Sequence, residues 1–388
     1  MRPPATSPSG LDARAVGTRY GARMTDLKHV VPARRLGRLE RLPARRLALG
    51  ILSVLILTAV AFGTFRTLDL PPGQRYAAAT WRDFVVLGIA RGSVYALIAL
   101  GYTLVYGILK MINFAHGEVF MAGAFGSFFF AQAYEQSGFL DRNVLVALVI
   151  VFLVAIAVST MVAVLLERIA YRPLRNAPRL VPLITAIGAS LFLQNTARGF
   201  FGPQTRGYPS PKVLTGKWYP FGIPIARTQL LMIIVAAGVM LALQLFISRT
   251  KTGKAMRAVS QDPEIASLMG IDTDRIIVTT FAVGGALAGI AAVLFAMTFG
   301  QVGPFMGFTP GIKAFTAAVL GGIGSVSGAA IGGLILGVLE SVGPPLFLTG
   351  FHVPSPLQLQ DVIAFSILVL VLIFRPGGIL GTGEAEKV

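Results

Sequence analysis

Residues 143–166 read NVLVALVIVFLVAIAVSTMVAVLL, a stretch without a single charge. As a helix it would be about 36 Å long, against a bilayer hydrocarbon core of about 30 Å. A helix satisfies all its backbone groups internally, so a run of this kind reads as a membrane span. Working outward, comparable apolar runs occupy residues 47–65, 84–109, 114–133, 181–198, 229–247 and 276–299. The last third divides into a short Gly-rich piece at 314–323, a fuller span at 328–348 and a short closing one at 361–374. The expected fold is all-α: a polytopic, multi-pass membrane helical bundle of about ten segments, one of them short or broken. An even number of crossings places both termini on one side.

Composition agrees. Of 388 residues, 54% are hydrophobic and 13% charged, where a soluble domain carries about 25% charged residues. This excludes an ordinary cytosolic enzyme, a disordered protein and a small secreted domain. The chain has no cysteine and three histidines, so disulfide frameworks, Cys-ligated zinc and iron–sulfur clusters are excluded, and no metal or cofactor is expected. The net charge of +17 fits either nucleic acid or a membrane surface. Its distribution decides. Residues 1–46 hold eleven Lys or Arg against three acids with no periodicity, which reads as a basic, disordered cytoplasmic tail. The side assigned to the cytoplasm collects 23 of the 34 Lys and Arg and the outer side ten, while Arg91 falls within a span and could snorkel outward. The charge orients spans among lipid and needs no nucleic acid. Residues 47–83 make an extra N-terminal span and outer loop; their basic leader, apolar core and Ala59-Val60-Ala61 also fit a secretory signal with a cleavage site.

Glycines recur four apart at Gly88/Gly92, Gly285/Gly289, Gly328/Gly332 and Gly333/Gly337. In lipid, close small-residue contacts carry helix packing, so tight packing of many spans is the expectation. The run Gly321-Gly322-Ile323-Gly324-Ser325-Val326-Ser327-Gly328 disfavours continuous helix. It reads either as a helix break at membrane depth, with Gly324 and Ser325 facing an anionic substrate group, or as a plain turn between two spans.

Polar groups in apolar runs are costly and usually face a cavity or one another. Asn113, His116 and Glu118 stand at the mouth of the third segment. They read as a cluster lining or gating a pathway, or as a helix start with Asn113 as N-cap and Glu118 favoured by the dipole. Glu340, inside 328–348, is a second buried acid on a pathway or bridging helices.

Residues 248–275 form the most structured cytoplasmic loop. Asp262 suits an N-cap, Pro263 a first helical turn and Gly270 a helix end, giving a short helix with Ile265, Leu268 and Met269 on one face. An apolar stripe outside the membrane needs a partner, in another protein or on the chain's own spans.

The spacing Glu264-x-Ala266-x-x-x-Gly270 resembles the Glu-Ala-Ala…Gly loop of ABC importer permeases, with Ile265 in place of the middle alanine. Joined to Gly101-Tyr102-Thr103-Leu104-Val105-Tyr106-Gly107, Ile112-Asn113-Phe114-Ala115-His116-Gly117-Glu118 and Lys313-Ala314-Phe315-Thr316-Ala317-Ala318-Val319-Leu320-Gly321-Gly322, it makes the chain resemble the permease of a branched-chain amino acid ABC transporter, of the leucine/isoleucine/valine uptake type. The resemblance runs from about Phe84 to Val388 and includes Tyr171-Arg172-Pro173-Leu174-Arg175, Phe192-Leu193-Gln194-Asn195 and Arg375-Pro376-Gly377-Gly378. It implies an importer domain over 84–388, working by alternating access in a bacterial cytoplasmic (inner) membrane. Its partners would be a second permease subunit, two ATP-binding subunits and an extracytoplasmic substrate-binding protein. Asp262, Glu264, Ala266 and Gly270 would lie in the loop that docks on the ATPase. The chain has no Walker A loop: Gly253-Lys254 is followed by Ala255, and Ser248 stands where that motif's first glycine belongs. It is therefore expected to be a transport subunit with no catalytic residue of its own. Other expectations are a permease of the same family for urea, short amides or other amino acids, and a proton-coupled transporter or membrane-embedded enzyme using His116 and Glu118.

Overall fold

The computed structural model describes residues 41–381 apart from 72–73, 176 and 179. The basic tail expected over 1–46 lies outside the described residues except for 41–46, which open the first helix. By its packing the chain divides into Met1–Ala61 and Phe62–Val388. The described part of the first unit is helix alone.

Thirteen α-helices follow in order among the described residues: α1 (Arg41–Leu68), α2 (Ala78–Leu109), α3 (His116–Gln136), α4 (Phe139–Arg142), α5 (Val144–Leu166), α6 (Leu180–Phe201), α7 (Arg227–Arg249), α8 (Lys251–Gln261), α9 (Pro263–Leu268), α10 (Thr273–Phe299), α11 (Phe308–Gly321), α12 (Val326–Phe347) and α13 (Gln360–Phe374). The ten expected segments correspond to α1, α2, α3, α5, α6, α7, α10, α11, α12 and α13. Eight of these are long and apolar enough to cross a membrane; α3 and α11 are not. The 14 residues of α11 rise only about 21 Å. Helix α3 has the length but carries His116, Glu118 and Glu135. The protein is a polytopic helical membrane bundle.

The opening stretch acquires two faces in α5. Ala147, Val151, Ala155, Ser159 and Ala163 repeat every four residues and are buried, while Leu145, Val149, Leu153, Met161 and Leu165 are exposed. Small side chains meet neighbouring helices and large ones are left for lipid. The glycine pairs do the same. A Cβ on Gly337 would strike the backbone of Gly88 and Gly92, and one on Gly333 the backbone of Ala96, so α12 lies backbone to backbone along α2. Gly285 and Gly289 of α10 bear in the same way on Ser159 and Ala155 of α5. Helix α2 is the centre, with α3, α7, α10, α11 and α12 around it; α6 packs chiefly on α3 and on the turn Glu167–Tyr171 that follows α5.

Two features set the ends. Strand β1 (Arg206–Gly207) pairs antiparallel with β4 (Gln301–Val302), so the loops after α6 and α10 share one end, and between them β2 (Lys217–Trp218) pairs with β3 (Ile225–Ala226). At the other end the C-terminal segment closes the α11–α12 turn, where Ile379 N donates to Leu320 O (2.8 Å) and Leu380 N to Gly321 O (2.9 Å). The Gly-rich run 321–328 is thus a turn between two helices.

Candidate functional site

Helices α3 and α11 begin against one another inside the bundle. A Cβ on Gly117 would meet the carbonyl of Gly307, and one on Gly311 the Cα of Gly117. His116 lies beside Gly101 and Gly284. Gly284 is well within α10, about 17 Å from its start. Two helix N-termini, preceded by non-helical backbone at 110–115 and 303–307, therefore meet at membrane depth. Such backbone is tolerated there only when protein buries it or a cavity receives it.

A cavity of about 270 Å³ opens beside this junction, lined by apolar Phe114, Ile187, Leu191, Phe308 and Ile312 and by the polar Glu118, Ser190 and Gln194. Glu118 is buried, and its Oε1 accepts from Gln194 Nε2 (2.7 Å) and Ser190 Oγ (3.2 Å), both on α6. Its Oε2 has no partner among the described residues. The three polar residues expected as one cluster take separate roles. Asn113 is not the N-cap of α3; that position is Ala115, which makes no side-chain cap. Instead Asn113 Oδ1 accepts from Tyr171 Oη at 2.6 Å. This ties the backbone before α3 to the π-helical turn Glu167–Tyr171. His116 packs edge-on to Tyr102, ring centroids 4.9 Å apart, and its Nε2 has no partner among the described residues. Of the three, only Glu118 lines the cavity.

On the other side of α11 lies a second cavity of about 380 Å³. Glu340 of α12 is its centre: Oε1 accepts from Lys313 Nζ (2.8 Å) and Tyr95 Oη (3.2 Å), and Arg91 Nη1 stands 3.7 Å away. Lys313 also pairs with Asp361 Oδ1 at 2.6 Å, and Arg91 Nη1 donates to Gln360 Oε1 at 2.7 Å. Two expectations change here. Arg91 does not snorkel outward but turns in to Gln360 and Glu340. Lys313, which the apolar runs leave in an outer loop, is helical and buried. Sequence reasoning did not pick out Lys313, Gln360 or Asp361, nor Ser190 and Gln194 as partners of Glu118. The available signal was Lys313, a lone cation just before an apolar piece.

Residues 84–372 match the family described as branched-chain amino acid transport system / permease component. Over 309 residues the chain is 47% identical to the high-affinity branched-chain amino acid transport system permease protein BraD of Pseudomonas aeruginosa, covering 78% of this chain and 97% of that protein. It is 46% identical to the corresponding LivH of Salmonella typhimurium and 45% identical to that of Escherichia coli, each over 306 residues, 78% of this chain and 96% of the relative. The chain belongs to this permease family.

In this permease the loop between α7 and α10 folds as its local chemistry dictates. Thr250 caps α8, its Oγ1 accepting from Gly253 N at 3.0 Å. Asp262 Oδ1 accepts from Glu264 N (2.9 Å) and Ile265 N (3.0 Å), filling the first orphan donors of α9. Gly270 ends the loop helix at φ +80°, and Ile271 N donates back to Ala266 O at 3.1 Å. Ala266 is buried, whereas Ile265, Leu268 (86% exposed) and Met269 (78%) are exposed. Of the remaining sequence candidates, Ser325 caps α12, with Gly328 N donating to its Oγ at 3.1 Å, and Gly324 sits in the preceding turn at φ +94°. Neither lines either cavity.

Proposed function

We propose that this permease is the membrane-spanning subunit of an ATP-driven importer that carries branched-chain amino acids across a bacterial inner membrane. Residues 84–388 form the permease domain, and 47–83 add a span outside it. Family membership supports the cargo, as does a bundle whose first cavity is lined mainly by aliphatic and aromatic side chains. The observation that carries the motor coupling is α9. It is capped at both ends, rooted by Ala266, and holds Leu268 and Met269 out in the open. Exposed apolar side chains on a fixed helix suit a groove in a partner, and an ATPase at that groove would move α7 and α10 together through the loop.

The end of the bundle that bears β1 and β4 then faces out and receives cargo from a binding protein; the α8–α9 end faces the cytoplasm. A second permease subunit completes the pathway, and two ATP-binding subunits supply hydrolysis. Glu118, His116, Asn113 and Glu340 line or support the route, with Glu118 holding its place through Gln194 and Ser190.

Right-side-out proteoliposomes with ATP trapped inside, and co-purification, test this. Leu268→Asp with Met269→Asp is expected to remove the ATPase from the purified complex and cut leucine uptake by about tenfold or more, while the permease itself stays folded. Full retention of the ATPase would end the docking assignment. Uptake that proceeds without any ATPase and follows a proton gradient would favour a secondary transporter, and a chemically altered product an enzyme.

A further inference from the structure

We propose that the second cavity is a binding site for the charged head of a free α-amino acid, with Arg91 and Lys313 taking its carboxylate and Glu340 and Asp361 its ammonium group. The inference rests on the transport reading above and locates its cargo. Two cations and two carboxylates sum to zero, as a zwitterion does, so a zwitterion can enter without leaving a net charge at depth. A simple anion or cation cannot. The four groups are not closed on one another. Oε1 of Glu340 receives Lys313 and Tyr95, while Oε2, on a residue only 1% exposed, has no partner among the described residues. Arg91 Nε is buried and also unpartnered among the described residues, and the Arg91–Glu340 pair is loose at 3.7 Å. An acceptor and a donor are thus left over on the two residues that a zwitterion would bridge. Buried charges without partners are expensive, and a ligand that supplies both partners relieves them together.

The surroundings suit the rest of the molecule. Phe295, Phe299, Phe305 and Met306 also line the cavity and offer an apolar wall for an aliphatic side chain. Pro203 and Thr205 place it at the end of the bundle where β1 meets β4. Phe299 and the loop-helix end are at opposite ends of the 27-residue α10, about 40 Å apart along the axis. The cavity is therefore a receiving site remote from the motor loop, and α11 stands between it and the Glu118 cavity.

The chain has no cysteine, so a single thiol can report on each cavity. Thr309→Cys places one in the ionic cavity and Ser190→Cys one in the Glu118 cavity, each in the assembled transporter. Leucine is expected to slow alkylation at Thr309→Cys by about tenfold or more, while 4-methylpentanoate and isopentylamine, each lacking one charge, slow it little at equal concentration. Adding Glu340→Gln should raise the leucine concentration needed for protection on the order of 30-fold, and Lys313→Arg, which keeps the charge, should restore most protection lost in Lys313→Met. Equal protection by all three compounds, or none by leucine at Thr309→Cys, overturns the assignment. Vesicle uptake by the same preparations separates the two failures. Leucine that accumulates while Thr309→Cys stays unprotected removes this site alone; leucine that neither accumulates nor protects removes the transport reading with it.

Discussion

The two cavities on either side of α11 are built on opposite electrostatic plans. The first holds one carboxylate, Glu118, among neutral donors from α6. The second holds four charges from α2, α11, α12 and α13 that cancel. A lone acid among neutral groups can lose its charge without stranding a counter-ion. A balanced set cannot lose one member, because the others become uncompensated charges in a low-dielectric interior. The first arrangement tolerates change and the second resists it, although one helix, α11, contributes to the walls of both.

The sharpest way to break that contrast is to remove one member of the balanced set. Glu340→Ala leaves Asp361 as the one carboxylate against Lys313 and Arg91, an uncompensated positive charge that should cost about 3–5 kcal/mol, read as a lowered thermal midpoint of the detergent-purified complex. Glu340→Met combined with Lys313→Met removes one charge of each sign and should recover much of the loss. If the single variant melts with the parent, the cluster is not a balanced set. A smaller effect is expected on the other side of α11. Gln194→Leu removes the 2.7 Å donor to Glu118 and should cost about 1.5–3 kcal/mol, as for a hydrogen bond to a charged group. In a Glu118→Gln background the same change should cost distinctly less. Equal costs in the two backgrounds would show that the carboxylate's charge is not what Gln194 serves.

This difference also explains what could be read from the sequence. Local chemistry was legible: the caps at Asp262 and Gly270, the glycine pairs, and the apolar runs of α5 and α10 all act within a few residues. The start of α11 was not. Thr309, Pro310, Gly311 and Lys313 look like a loop, yet Pro310 falls in a first turn, where backbone N–H groups have no intrahelical partner to lose. Lys313 is affordable in a helix at depth only because Glu340 and Asp361 neutralise it, and those residues lie on other helices. The same holds for Glu118, whose donors sit on α6, and for Asn113, which looked like a cap until Tyr171 supplied a stronger partner. Motifs that match a family mark such residues as special without telling which side chains they meet.

Outside the membrane the same kind of pair should matter least, and it gives the contrast its lower bound. Asp141 on α4 accepts at Oδ1 from the backbone N–H of Lys212 (2.8 Å), and Lys212 Nζ stands 3.3 Å from its Oδ2. The Lys212 amide holds the Asp141 carboxyl below its usual range, opposed next by burial and aided in smaller measure by the Lys212 ammonium group. With the folded value lowered, the tie between α4 and the loop after α6 is fully present above the ordinary aspartate value of about 3.9 and is lost as pH falls through the lower folded one. Exchange protection of the Lys212 amide should therefore weaken on acidification from about pH 6 to about pH 3, with the thermal midpoint barely moved because the pair is exposed. Asp141→Asn should abolish that acid dependence. Lys212→Ala keeps the backbone donor and should retain most of it. If Lys212→Ala instead erases the dependence, the ammonium group rather than the amide holds the carboxylate, and even this exposed pair follows the charge-balanced plan of the ionic cavity.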